Sequence, residues 1–117
     1  MSARRTLDRA MTERELMEAV IECAQRFGWK CMHIPDRLYK LAAKEQRWDA
    51  MTGAEDWPDL ILVRNGVMWV VECKTERGQV SDGQHAWLQA FATLRFPRVA
   101  IWRPSDWSSG EIEETLR

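Results

Sequence analysis

The stretch Asp59-Leu60-Ile61-Leu62-Val63-Arg64-Asn65-Gly66-Val67-Met68-Trp69-Val70-Val71-Glu72-Cys73-Lys74 decides how this chain folds. Two β-prone apolar runs flank Asn65-Gly66, a dipeptide suited to a two-residue hairpin turn. The spacing predicts an antiparallel hairpin in which Arg64 meets Val67, Val63 meets Met68, Leu62 meets Trp69, Ile61 meets Val70 and Leu60 meets Val71. One step farther out, Asp59 lies opposite Glu72. Lys74, two residues beyond Glu72, falls on the same face and diagonal to Asp59. Register alone therefore gathers two acids and a lysine at one end of the strand pair. A bulge or a three-residue turn would undo that placement.

Both faces of the hairpin are largely apolar, which suits a strand pair covered on both sides. Upstream, Thr12-Glu13-Arg14-Glu15 has the form of a capping box, and Leu16, Val20, Cys23 and Phe27 follow at helical spacing. This predicts a helix over 13–27, stopped by Gly28. Trp29 to His33 can form a short strand. Downstream, Ser81-Asp82-Gly83-Gln84 is a second capping box, opening a helix through Trp87, Leu88, Phe91 and Leu94 that Pro97 ends. Val99 to Trp102 reads as a third long strand, and the tail from Ser105 as a short helix. The core order is α-β-β-α-β-α, and the helix before the last strand is long enough for a parallel crossover. The expected architecture is an α/β domain over 12–117 with a mixed sheet, preceded by a loose basic arm over 1–11 that carries Arg4, Arg5 and Arg9.

At 117 residues the chain suits one domain with a real core, and 45% hydrophobic with 30% charged residues is a globular balance. No apolar run approaches the ~20 residues of a membrane span, and nothing near Met1 reads as a secretory signal. A cytoplasmic protein with no membrane partner is the default expectation. Cys23, Cys31 and Cys73 form no CxxC pair, and His33 and His85 fit no ligand spacing, so neither a disulfide framework nor a histidine-built metal site is indicated. A net charge of −1 argues against a non-specific nucleic-acid coat but leaves room for a local basic patch beside an acidic site. Arg37, Lys40, Lys44 and Arg47 recur at steps that line one helix face, either as a solvated surface or as a phosphate-contacting stripe.

Two carboxylates at a sheet's end repel each other and resist burial, so one should keep its proton to a higher pH. A hard divalent cation removes that conflict, and Mg²⁺ commonly takes one or two carboxylates together with phosphate oxygens and water. A lysine beside them can orient a water or steady charge developing on phosphate. Metal-assisted phosphodiester hydrolysis uses such a set. A structural salt-bridge cluster of Asp59, Lys74 and Glu72 is the alternative, and geometry alone does not choose between them.

Pro58-Asp59, a hairpin and Glu72-Cys73-Lys74 together resemble the PD-(D/E)xK signature of the restriction-endonuclease-like superfamily. The run Glu72-Cys73-Lys74-Thr75-Glu76-Arg77-Gly78-Gln79-Val80-Ser81, followed by Gln84 and Trp87, is similar to the VRR-NUC (virus-type replication-repair nuclease) family. Thr12-Glu13-Arg14-Glu15-Leu16 with Gly28-Trp29, and Val99-Ala100-Ile101-Trp102-Arg103-Pro104, look like that family's opening helix and late strand. The likeness spans about residues 12–107. Asp56-Trp57 stands where many relatives have small residues, and Met17 where they often have Gln. Neither departure touches a matched catalytic position. Trp57 can pack, crowd the site or stack on a base.

The resemblance implies a restriction-endonuclease-like core and a Mg²⁺- or Mn²⁺-dependent deoxyribonuclease. Asp59 and Glu72 would be its metal ligands, joined by the backbone carbonyl of Cys73, with Lys74 as catalytic lysine and Gln84 close to the site. It also implies a helix-one glutamate in the acidic cluster. Glu15 matches by motif position, with Glu18 in reserve, although Glu15 can equally serve only to close the Thr12 box. Arg77 and the stripe Arg37, Lys40, Lys44 and Arg47 would hold the DNA backbone. Stand-alone relatives look like virus-encoded, structure-selective endonucleases, often homodimers acting on branched DNA such as Holliday junctions in repair or recombination. A bacterial or phage-infected cell is the expected setting. The rival expectations are a non-cutting DNA-binding module and a sequence-specific restriction endonuclease.

Overall fold

A computed structural model describes residues 2–33, Lys44 and 56–117 of the chain. Its elements are helices α1 (Ala3–Ala10) and α2 (Glu13–Arg26), strands β1 (Lys30–Met32), β2 (Leu60–Arg64) and β3 (Val67–Cys73), helix α3 (Asp82–Ala92), strand β4 (Pro97–Trp102), and short helices α4 (Pro104–Ser108) and α5 (Glu111–Leu116). The strands form one mixed sheet in the order β1-β2-β3-β4. The β2–β3 hairpin adopts the register expected from Asn65-Gly66, from Arg64 opposite Val67 to Leu60 opposite Val71. Both turn residues have positive φ, 49° at Asn65 and 78° at Gly66, as a two-residue turn with the right twist demands. β1 pairs antiparallel with β2, and β4 pairs parallel with β3 after the α3 crossover. Among the described residues no helix is long and apolar enough to cross a membrane.

The period of two along the strands divides the sheet into unlike faces. Leu60, Leu62, Val71, Cys73 and Trp102 point into a closed core with Leu16, Val20, Cys23 and Ala24 of α2 and Ile112 and Leu116 of α5. Full burial of each large aliphatic side chain there contributes roughly 1.5–3 kcal/mol. α2 is held at both ends. Thr12 and Glu15 close a reciprocal capping box, and Gly28, with φ 84°, lets Trp29 N–H return to Ala24 O at 2.9 Å. The indole Nε1 of buried Trp29 donates to Leu116 O at 2.8 Å. The Arg64 guanidinium lies 4.4 Å from the Trp29 ring centre and donates to Phe27 O and Leu116 O. One side chain thus satisfies carbonyls at the ends of both core helices.

The opposite face, which carries Val70, Val99, Ile101 and Glu72, is the side from which α3 reaches the sheet through Gln84 and buried Leu88. Trp57 settles on this helix, edge-on to Trp87 at 4.9 Å and to Phe91 at 5.5 Å. Of the roles open to it, packing is the one these contacts show.

The first residues differ from the loose arm expected of them. Ala3–Ala10 is helical, capped by the Ser2 hydroxyl, which accepts from Arg5 N–H. The helix is docked on α4: Arg4 Nε donates to Ser108 Oγ at 3.1 Å, and Ser108 Oγ donates to the buried Asp8 carboxylate at 3.0 Å. Leu7 remains 70% exposed, so α1 presents no apolar stripe that sequence periodicity could detect. Its order comes from polar contacts about a hundred residues away along the chain. β4 begins at Pro97, two residues earlier than expected, because a strand's first residue tolerates a missing N–H.

Candidate active site

The site lies at the start of β2 and the end of β3. β2 begins at Leu60, so the Cys73 N–H has no backbone acceptor across the ladder, and the Asp59 carboxylate takes that place, Oδ2 accepting at 2.8 Å. Asp59 is thereby fixed beside Glu72, as the hairpin register predicts. Lys74 extends the other edge of β3: its N–H donates to Trp102 O of β4 at 3.0 Å.

Glu72 is 1% exposed and Lys74 7%. Glu72 Oε1 accepts from Gln84 Nε2 at 3.1 Å, while the buried Oε2 has no hydrogen-bond partner among the described residues. Burial, then the charge of the adjacent Asp59, push the Glu72 carboxyl up to about 9 against a partial opposing pull from Lys74. The proton that Glu72 keeps is the expected answer of two adjacent acids to a poorly solvated place. Lys74 Nζ lies 3.9 Å from Glu13 Oε1, at the long limit of an ion pair. Glu13 opens α2, and it is the helix-one acid that the fold brings to the lysine.

Glu15, the acid expected from motif position, is placed otherwise. Its Oε1 accepts Thr12 N–H at 3.1 Å, on an exposed surface, and those hydrogen bonds hold its carboxyl below the ordinary value. The reserve acid, Glu18, pairs with Arg14 at 3.2 Å in a wholly exposed (i, i+4) bridge. The one-residue offsets of a helix explain this: Glu13 and Glu15 stand about 200° apart around the axis, so only one can face Lys74.

Gln84 fills both roles considered for it. Its N–H donates to Ser81 Oγ and its Oε1 accepts Ser81 N–H, closing the α3 box, and its Nε2 remains for Glu72. The Cys73 thiol points into the core, fully buried, and burial raises its pKa well above the ordinary thiol value. Only the backbone of Cys73 belongs to the site. Arg77 is exposed in the loop after Lys74. Of the basic stripe, Lys44 is helical and exposed, while Arg37, Lys40 and Arg47 lie outside the described residues.

Arg103 was not singled out in the sequence, yet it shapes this loop. Its Nη1 donates to Thr75 O and Gly78 O, both at 2.8 Å, and to Glu76 O at 3.3 Å. Only the pairing of the C-terminal ends of β4 and β3 brings it there, and no local pattern signals that. Among the described residues, no group of three His, Cys, Asp or Glu side chains converges in a way that could hold a metal ion. Comparison with protein-family models, curated proteins and solved structures returned no match to this chain.

Proposed function

We propose that the chain is a divalent-metal-dependent, structure-selective DNA endonuclease with a restriction-endonuclease-like core, hydrolysing phosphodiester bonds in branched DNA such as Holliday junctions. The observation that carries this reading is the Glu72 carboxyl. It is buried against Asp59, one oxygen has no partner among the described residues, and its proton is held to about pH 9. A structural ion cluster would pair that oxygen with Lys74, whereas Lys74 reaches toward Glu13.

Two acids and a nearby backbone carbonyl fit Mg²⁺ or Mn²⁺, which needs only one or two carboxylates when phosphate and water complete its shell. Asp59, Glu72 and the Cys73 carbonyl would hold the ion. Once bound, such an ion polarises the phosphate and makes a water acidic. Lys74, held on a rigid strand end in a nearly closed setting, orients that water and offsets charge developing on the phosphate. Gln84 fixes the rotamer of Glu72 from α3, as an outer hydrogen-bond partner does for a metal ligand. Arg77 holds the DNA backbone. Symmetric cutting of a four-way junction calls for two such sites, so the working unit is a homodimer.

The deciding test incubates the purified protein with labelled four-way junction and matched linear duplex, in Mg²⁺, Mn²⁺ or EDTA, beside Lys74→Ala. Junction cutting that needs the metal and is lost in the variant is the expected result. A junction bound but never cut points to a binding module, and cutting of the linear duplex at one fixed site points to a restriction enzyme. Light scattering that shows a monomer at micromolar concentration removes the dimer.

A further inference from the structure

A second hollow lies beside the site, outside the acid–lysine cluster. It has a volume of about 380 Å³ and is lined by Arg5, Asp8, Arg9, Glu76, Arg77 and Ser105. Its wall is made by two segments that the sequence keeps far apart: one face of α1 and the loop that follows Lys74. Arg5 and Arg9 are (i, i+4) neighbours on that face. Arg4 and Asp8, a second charged (i, i+4) pair of α1, anchor it to Ser108.

The two acids in the hollow already have partners. Asp8 accepts from the Ser108 hydroxyl, and Glu76 Oε1 accepts from the Ser105 hydroxyl at 2.7 Å and its N–H at 3.3 Å. Arg5, Arg9 and Arg77 are exposed and form no ion pair among the described residues. Three guanidiniums and two carboxylates therefore line one concavity, an excess of positive charge, and each carboxylate is turned to a serine. Arginine forks match phosphate oxygens in pairs, and the unpaired guanidiniums favour an anion there.

We infer that the cleft between α1 and the Glu76–Arg77 loop is a phosphate-binding track for a nucleic-acid strand, with Arg5 and Arg9 as its α1 contacts. Arg77 is three residues from Lys74, at most about 10 Å of extended chain. The cleft therefore adjoins the Lys74 end of the site. The clamp of Arg103 on the loop carbonyls and the docking of α1 on α4 tie both walls to the rest of the fold. The inference rests on the proposed nucleic-acid reading of the adjacent site, but binding tests it separately from cutting.

The test is the salt dependence of binding to fluorescent four-way junction and linear duplex, measured by anisotropy in EDTA, for the wild type and for Arg5→Gln/Arg9→Gln. Each lost phosphate contact should flatten the slope of log K against log salt by about one. The double variant should show a slope smaller by about two and affinity weaker by roughly ten-fold at 0.1 M salt, with an unchanged melting temperature. Arg26→Gln removes one exposed charge from α2, away from the cleft, and should retain the wild-type slope. An unchanged slope in the double variant, or a loss matched by Arg26→Gln or accompanied by a lower melting temperature, overturns the inference. Reduced binding in the double variant of a protein that never cuts DNA keeps the cleft and refutes the nuclease. Cutting by a protein whose double variant binds with the original slope does the reverse.

Discussion

The chain builds the same capping box twice, and the two copies do different things. At Thr12 the box is closed by Glu15, and at Ser81 by Gln84, with nearly identical hydrogen bonds of 3.0–3.1 Å. Glu15 faces water and does nothing further. Gln84 caps with its carbonyl oxygen and still has an amide to donate to Glu72. The chemical difference is simple: a carboxylate only accepts, so the oxygens it offers cannot also donate to a neighbouring acid, whereas an amide carries both functions. A Glu at position 84 would close the same box and then set a further carboxylate, with no donor, against Asp59 and Glu72. A motif with two permitted residues thus separates into a purely structural cap and one that reaches the candidate site.

The largest contrast between the boxes should appear in cleavage. Asp59→Ala and Lys74→Ala should each remove junction cutting by about 10²–10⁴-fold in single-turnover assays, the scale on which positioned proton-transfer and charge-stabilising groups act. Both variants should retain the wild-type circular dichroism spectrum, and full activity in either removes the assignment. Gln84→Ala comes next. It should lower cutting by roughly 10–100-fold, as loss of an outer partner of a metal ligand does. Gln84→Glu should preserve the α3 cap yet cut no faster than Gln84→Ala, and wild-type activity in Gln84→Glu would show that the amide donor is idle.

The pH dependence of stability should be smaller but clear. Glu72 is an ordinary carboxyl when unfolded and holds its proton to about pH 9 when folded. The native state therefore binds the extra proton between those values, and stability falls as pH rises through that window, by at most about 1.4 kcal/mol per pH unit. Urea midpoints from pH 5 to 9 should drop for the wild type and stay flatter for Glu72→Gln, so the variant is the more stable one at pH 8.5. Because an ion must displace this proton, Mg²⁺ should raise the melting temperature more at pH 8.5 than at pH 6.5, and EDTA should abolish the rise. Equal metal shifts at both pH values would disconnect Glu72 from the ion. Smallest of all is the other box: Glu15→Ala should lower the melting temperature slightly and leave the cleavage rate alone. A large loss of cutting in Glu15→Ala would restore Glu15 to the acidic cluster and erase the contrast.

The hairpin was legible because three local constraints agree. Asn65-Gly66 accepts positive φ, β-prone apolar runs flank it on both sides, and a slip by one residue would turn Glu72 into the core and Cys73 out of it. From that register the meeting of Asp59, Glu72 and Lys74 follows by counting. Both capping boxes were legible too, since each bond in them spans only three residues. The choice of Glu13 over Glu15 was not, because it depends on the rotation of α2 against β3, which the core contacts of Leu16, Val20 and Cys23 set.

By itself, then, the sequence determined the strand pairing, the helix starts and the adjacency of two acids and a lysine, all consequences of short-range geometry and side-chain period. Tertiary structure alone decided that residues 3–10 are an ordered helix. It also decided that Arg103 clamps the loop after Lys74 and that Arg5 and Arg9 stand across a cleft from Arg77. Those contacts join segments about 25 to 100 residues apart through single polar bonds, which leave no periodic trace in the chain.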